Sequence, residues 1–263
     1  MAGRRSAGFP VRAAGRGSDG GTPLAQGAYA HLMQALLEGP LAPGDRLSVV
    51  DLAEQLGCSR VPVMEAVKRL AAEGFLDVIP QVGCRVARPD PAEVRDFFEL
   101  FAAVEGCVTR LAAARRTNDD LRAFKTLCAR LDQTLRSAGT PQARDPTYRR
   151  VNLEFHTAIH QLARAPLACA VAAGMWDRSD FFIKVAFGSL YFSKRVRLAH
   201  AAMRRAIVDG DPDAAEAAVE AHLREVGAAD VAKSAMVEIV RVEIVDRGAE
   251  HAAAEEGVEL LVL

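Results

Sequence analysis

The chain carries no excess of either charge. Its 263 residues hold 33 Lys and Arg against 34 Asp and Glu, which excludes a histone-like or protamine-like polycation. The five cysteines, Cys58, Cys84, Cys107, Cys128 and Cys169, are odd in number and form no CxxC pair. They argue against a disulfide framework and for small buried thiols in a reducing compartment. No apolar run approaches the roughly 18 residues of a membrane span. The first 23 residues contain arginines but no apolar segment of a secretory signal, so a cytoplasmic protein with no membrane partner is expected. A Gly-rich phosphate loop, a GxSxG elbow and a paired-cysteine zinc motif are all missing.

What is present describes an ordinary globular chain, half apolar and one quarter charged, and its length fits two domains at roughly 100–200 residues each. Residues 1–23 are rich in Gly, Ala and Arg and read as a disordered arm. Apolar residues at helical spacing, Tyr29, Leu32, Met33, Leu36 and Leu37, predict a helix over 24–37 that stops at Gly39–Pro40. A short helix capped by Ser48 follows, then a left-handed turn at Gly57 and a third helix capped by Ser59. This is the helix-turn-helix pattern. The segment FLDVIPQVGCRVARP adds two strands around a turn at Gln81–Gly83, so residues 24–89 read as a winged helix.

Pro89, Asp90 and Pro91 mark a boundary. Beyond it the periodicity predicts helices over about 92–115, 118–137, 146–164, 166–187, 194–209 and 212–235, with a capping box at Thr117 and Asp120 and a Gly-stop, Pro-start at Gly210–Pro212. The fold class is mainly α: an N-terminal winged helix-turn-helix with a small β hairpin wing, then an all-α bundle over 92–235. The tail, 236–263, has no assigned structure.

A recognition helix reads base edges with its first residues, and an Arg fork matches guanine. Arg60 is therefore the candidate base reader, with Ser59, Lys68, Arg46 and Arg85 as phosphate contacts. For Lys68 and Arg69 the alternative is a solvated helix face. Four of the six histidines lie in the bundle. Asn152, His156 and His160 share one helical face, and His200 and His222 come from two other helices. Imidazoles converging from several helices build a metal site, whereas hydrogen-bonded histidines in a polar pocket are the metal-free alternative.

LAEQLGCSR, VPVMEAVKRLAAEG and the wing GCRV, which starts at Gly83, resemble the winged helix of GntR-type bacterial transcription regulators. VEGCVTRLAAARRT (104–117), NLEFHTAIH (152–160) and AHAAMRRAIVDGDPDAAEAAVEAHL (199–223) resemble, in order and spacing, the helical FCD effector domain of the FadR branch. The resemblance spans roughly residues 25 to 228. It implies a homodimer that binds double-stranded operator DNA, most often as a repressor, and a small-molecule effector, expected to be a carboxylate. It also implies a divalent metal of the Zn, Ni or Mn kind, held by Asn152, His156, His200 and His222.

The sequence departs from the family pattern at informative positions. Val61 stands where Thr is usual, Met64 where a second Arg is usual, and Gln81–Val82 at a wing tip that is often basic. Fewer charged contacts imply weaker and less salt-dependent DNA binding, while Val61 and Met64 can meet a thymine methyl. Phe101 replaces an Arg that grips the effector carboxylate, so Arg150 or Arg178 would substitute or the effector would be more apolar. His160 would line that pocket. Trp176, Phe181 and Phe182 would either line it or belong to the core. Two rivals accompany this reading: a metal-dependent enzyme built on the histidines, and a winged helix that has lost DNA binding.

Overall fold

The computed structural model describes residues 22–79, 83–137, 141–187 and 194–229. Residues 1–21 of the arm expected over 1–23, the Gln81–Val82 wing tip, the end of the helix expected over 212–235 and the tail over 236–263 lie outside the described residues, and Pro23, the last residue of that arm, opens a helix instead. The chain divides between Arg88 and Pro89 into two compact units.

The first unit begins with α1 (Pro23–Leu37), where Pro23 needs no backbone donor and the Thr22 hydroxyl accepts from Ala25 N. The two-residue strand β1 (Arg46–Leu47) precedes α2 (Val49–Leu56). Ser48 caps α2 by accepting from Asp51 N at 3.2 Å, and Gly57 ends it in the left-handed conformation at φ 61°. Helix α3 (Arg60–Ala72) starts after Ser59, whose side chain makes no cap bond, contrary to the sequence expectation. Strands β2 (Leu76–Ile79) and β3 (Gly83–Val86) complete an antiparallel sheet of order β1-β3-β2. Strand β1 was not anticipated, because two residues carry no periodicity to read.

The fully buried Leu32 and Leu36 of α1 meet the buried Val63, Val67 and Leu70 of α3 in the core of this unit. Above it, Arg69 lies over the Tyr29 ring at 3.9 Å and bonds Glu73, which accepts from the Tyr29 hydroxyl at 2.6 Å. Arg69 thus clamps α1 to α3, and its charge is spent inside the unit.

Short turns join the helices of the second unit, which are its regular elements among the described residues: α4 (Pro91–Arg115), α5 (Asn118–Ser137), α6 (Pro141–Ala163), α7 (Pro166–Phe187), α8 (Lys194–Asp209) and α9 (212–229). Helix α6 begins at Pro141, five residues before the expected 146, since Pro is well placed in a first turn. The Thr117–Asp120 capping box forms reciprocally, at 2.7 and 3.2 Å. Asp211 caps α9 by accepting from Ala214 N, after Gly210 at φ 73°.

Helix α4 packs against α6, α7 and α8. Its buried stripe runs Val94, Phe98, Phe101, Ala102, Glu105, Val108 and Ala112, every third or fourth residue as one face of a helix requires. One member of that apolar stripe is a carboxylate.

Candidate functional site

The first unit presents its DNA candidates on the outside. Ser59, Arg60, Val61 and Lys68 are exposed along α3, Val61 with 67% of its surface free, while Met64 is half-buried. The underside of the same helix, Pro62, Val63, Ala66 and Val67, is buried. The amphipathic division therefore turns the first turn of α3, with its unpaired backbone N–H groups, toward solvent.

Sheet register sets the basic residues of the wing. Arg46 of β1 stands opposite Arg85 of β3, which in turn faces Asp77 of β2. Like charges opposed across strands repel. Arg85 relieves this through a 3.0 Å ion pair to Asp77, whereas Arg46 remains exposed beside it. Gly83 starts β3 at φ 135°, in a conformation side chains rarely adopt.

In the second unit three of the expected ligands come together. The His156 and His200 rings lie 5.5 Å apart between centroids, and those of His200 and His222 lie 5.3 Å apart. All three residues are buried. Burial, reinforced by the neighbouring histidines, holds His200 well below its ordinary value, and burial takes His222 down to about 4. Both imidazoles are therefore neutral near pH 7. Both ring nitrogens of His156 and Nε2 of His200 are buried without a hydrogen-bond partner, a state that ordinarily costs stability.

Asn152, one turn before His156, is half-buried, and its Oδ1 accepts from the Tyr148 hydroxyl at 3.4 Å. Among the described residues no three His, Cys, Asp or Glu side chains close around a metal position. The cluster thus fits a metal in donor chemistry, with neutral imidazoles and orphaned nitrogens, without being folded around one.

Sequence reasoning missed Glu105 as a functional residue. It is fully buried, and its Oε1 accepts from His160 Nε2 and from Trp176 Nε1, both at 2.9 Å. Oε2 lies 3.9 Å from His156 Nδ1, beyond hydrogen-bond reach. Burial pushes this carboxyl up, yet His156 and His160 together outweigh it and hold it well below the usual carboxylate range. The signal was a charged residue on the apolar stripe of α4.

The effector candidates are scattered. Phe101 is fully buried, edge-on to Trp176 at 5.0 Å. His160 is tied to Glu105 behind it. Arg150 is exposed and faces Glu154 at 3.8 Å, and Arg178 pairs with Glu93. Trp176, Phe181 and Phe182 are core residues, each buried. A cavity of about 540 Å³ opens instead between α5, α6 and α8, with His200, Arg136, Arg197 and Arg204 on its wall.

The two units also match known families separately. The model for bacterial regulatory proteins of the gntR family matches residues 24–86, and the FCD domain model matches residues 96–225. The chain belongs to the GntR family, in the group that carries an FCD domain. Its GntR unit and its FCD unit are the winged helix and the helical bundle described above.

Among its relatives is the HTH-type transcriptional repressor RspR of Escherichia coli K12, 27% identical over 206 residues, which cover 78% of this chain and 87% of RspR. A regulator from an unstable DNA locus of Streptomyces ambofaciens is 47% identical over 77 residues, and the match spans only 33% of that protein. The solved structure of E. coli McbR/YncC superposes with a TM-score of 0.63 at 23% identity, covering 81% of this chain and 98% of McbR. A GntR regulator from Rhodococcus sp. RHA1 gives 0.59 at 18% identity, covering 80% and 99%. These two likenesses concern the fold. Among the described residues no helix is long and apolar enough to cross a membrane.

Proposed function

We propose that this GntR-family chain is a homodimeric repressor whose FCD unit binds a small organic acid and thereby controls operator binding. Arg60 would read bases from the first turn of α3, with Ser59, Lys68, Arg46 and Arg85 on phosphates and Gly83, Val61 and Met64 at the DNA surface. A two-fold dimer would place two such helices on a palindrome. The acid acts only through its differential affinity for the DNA-competent and DNA-incompetent arrangements.

The observation that carries the sensing half of this reading is the buried cluster of His156, His200 and His222, in which both His156 nitrogens and His200 Nε2 lack partners. With Asn152 they are the residues that would hold a divalent metal, and a bound metal would supply a Lewis-acid anchor for a ligand carboxylate. Burial keeps His200 and His222 deprotonated, the form that ligates. Glu105 holds His160 and Trp176 beside His156, fixing the wall of the site. The relatives are named as transcription regulators, which favours regulation over catalysis at the same histidines.

The test is thermal unfolding of chelator-treated full-length protein with and without Zn²⁺, Ni²⁺ or Mn²⁺. One of these ions should raise Tm by several degrees, and His200→Ala should abolish the rise. No shift with any ion, in a protein that still binds DNA, would remove the metal from the account.

A further inference from the structure

We infer that Arg60 and Val61 together read one base step, a guanine and the thymine next to it, with Val61 selecting the thymine methyl group. This rests on the reading of α3 as the helix that enters DNA, and it names what that helix recognises there.

Core packing decides which side chains of α3 are available. Pro62, Val63, Ala66, Val67 and Leu70 are buried, and Arg69 is spent on Tyr29 and Glu73. The exposed side chains from the start of the helix through Lys68 are those of Arg60, Val61, Glu65 and Lys68. Val61, Glu65 and Lys68 recur every three or four residues and so share one face, with Arg60 beside its beginning. A recognition helix meets base edges with its first residues. Arg60 and Val61 hold that place, while Glu65 and Lys68, of opposite charge, lie farther along.

The chemistry of the two is complementary. Among the described residues Arg60 makes no ion pair or hydrogen bond, so its whole donor fork is available for the paired N7 and O6 acceptors of guanine. Val61 offers neither donor nor acceptor, and 67% of its surface is exposed. Such a group tells bases apart only by the apolar feature of the major groove, the C5 methyl of thymine. Against Val61 the N4 amino group of cytosine, or the N6 amino group and N7 of adenine, would lose water without gaining a partner. Neighbouring Cα atoms stand about 3.8 Å apart and neighbouring bases of a strand about 3.4 Å, so adjacent residues match adjacent bases. A helical valine has one strongly preferred χ1 setting, which keeps the cost of ordering this contact small.

Selection of duplexes from a random pool by the full-length protein supplies the site, and fluorescence anisotropy on modified copies of it tests the assignment. The selected site should carry a thymine next to a guanine in each half. Deoxyuridine in place of that thymine removes only the methyl and should weaken wild-type binding about fourfold per half-site. Replacing the guanine by 7-deazaguanine removes the N7 acceptor and should weaken it by about tenfold. Val61→Ser, at an exposed position and with similar helix propensity, should bind the thymine and deoxyuridine duplexes equally and keep the 7-deazaguanine penalty. Arg60→Ala should lose that penalty, and Lys68→Ala should weaken binding to all the duplexes without changing either ratio. The inference is overturned if the selected site lacks such a thymine, if deoxyuridine costs nothing, or if Val61→Ser still senses the methyl. An enriched site in any of these cases leaves sequence-specific DNA binding standing, whereas a pool in which no sequence is enriched defeats the regulatory reading and this inference with it.

Discussion

Glu105 and His160 form a part-buried hydrogen bond of 2.9 Å between α4 and α6, and Trp176 of α7 donates to the same carboxylate oxygen in a buried one. One carboxylate thus ties three helices together beside the histidine cluster. Glu105→Gln keeps the shape but loses the charge that both donors address, and it should cost about 2 kcal/mol in urea unfolding at pH 7. The folded carboxyl lies at about 2, against 4.5 for its ordinary value. Its stabilisation is therefore complete above pH 4.5 and is lost as pH falls toward 2. The variant should lack that acid-side loss, and an unchanged acid profile would show that Glu105 is not ionised in the fold.

His222 gives the opposite residue type with the same direction of loss. Between pH 6.5 and about 4 the unfolded chain binds a proton at this imidazole that the folded chain excludes. Stability should therefore fall as pH falls, by about 1.4 kcal/mol per pH unit for this group alone. Urea titrations of chelator-treated protein should show that slope, and His222→Asn should flatten it. A slope that is the same in the variant would contradict a buried neutral His222.

Phe101 is a core residue by its surroundings, fully buried against Trp176 and Phe97. Phe101→Ala should cost about 3–5 kcal/mol, seen as an earlier urea midpoint, whereas Phe101→Leu should be milder. Loss of acid binding in Phe101→Leu without loss of stability would instead make it a ligand contact.

Much of the fold was legible because it depends on local signals. The Gly57 turn, the Asp211 cap and the Thr117–Asp120 box each declare themselves within four residues, and the structure carries all three. The Ser59 cap misled because a good capping residue can stand at a helix start without making the bond. His156, His200 and His222 were legible as imidazoles on three helices of a bundle, and the family resemblance narrowed them to one ligand set. The cavity was not legible at all. Nothing in the sequence singles out Arg136, Arg197 or Arg204, and only the packing of α5 against α6 and α8 makes them one wall. Arg69 shows the converse, a charge for which a solvated helix face was an open reading and which is used to hold Tyr29 and Glu73.

The DNA surface leads to a prediction about salt. Arg85 is paired with Asp77, so only part of the wing charge is available to phosphates. Lys68→Ala should weaken binding evenly across sequences and reduce the salt slope by about one ion. Asp77→Asn should strengthen binding by freeing Arg85, and fluorescence anisotropy at two or more salt concentrations reads both effects.

The most direct test of the regulatory account is anisotropy of the full-length protein on DNA taken from upstream of its own coding sequence, comparing wild type with Arg60→Ala. The wild type should bind that DNA more tightly than unrelated duplex, with affinity falling as salt rises, and Arg60→Ala should erase the preference at a cost of about 1–3 kcal/mol. Equal affinity of both proteins for both duplexes would contradict a sequence-reading role for α3.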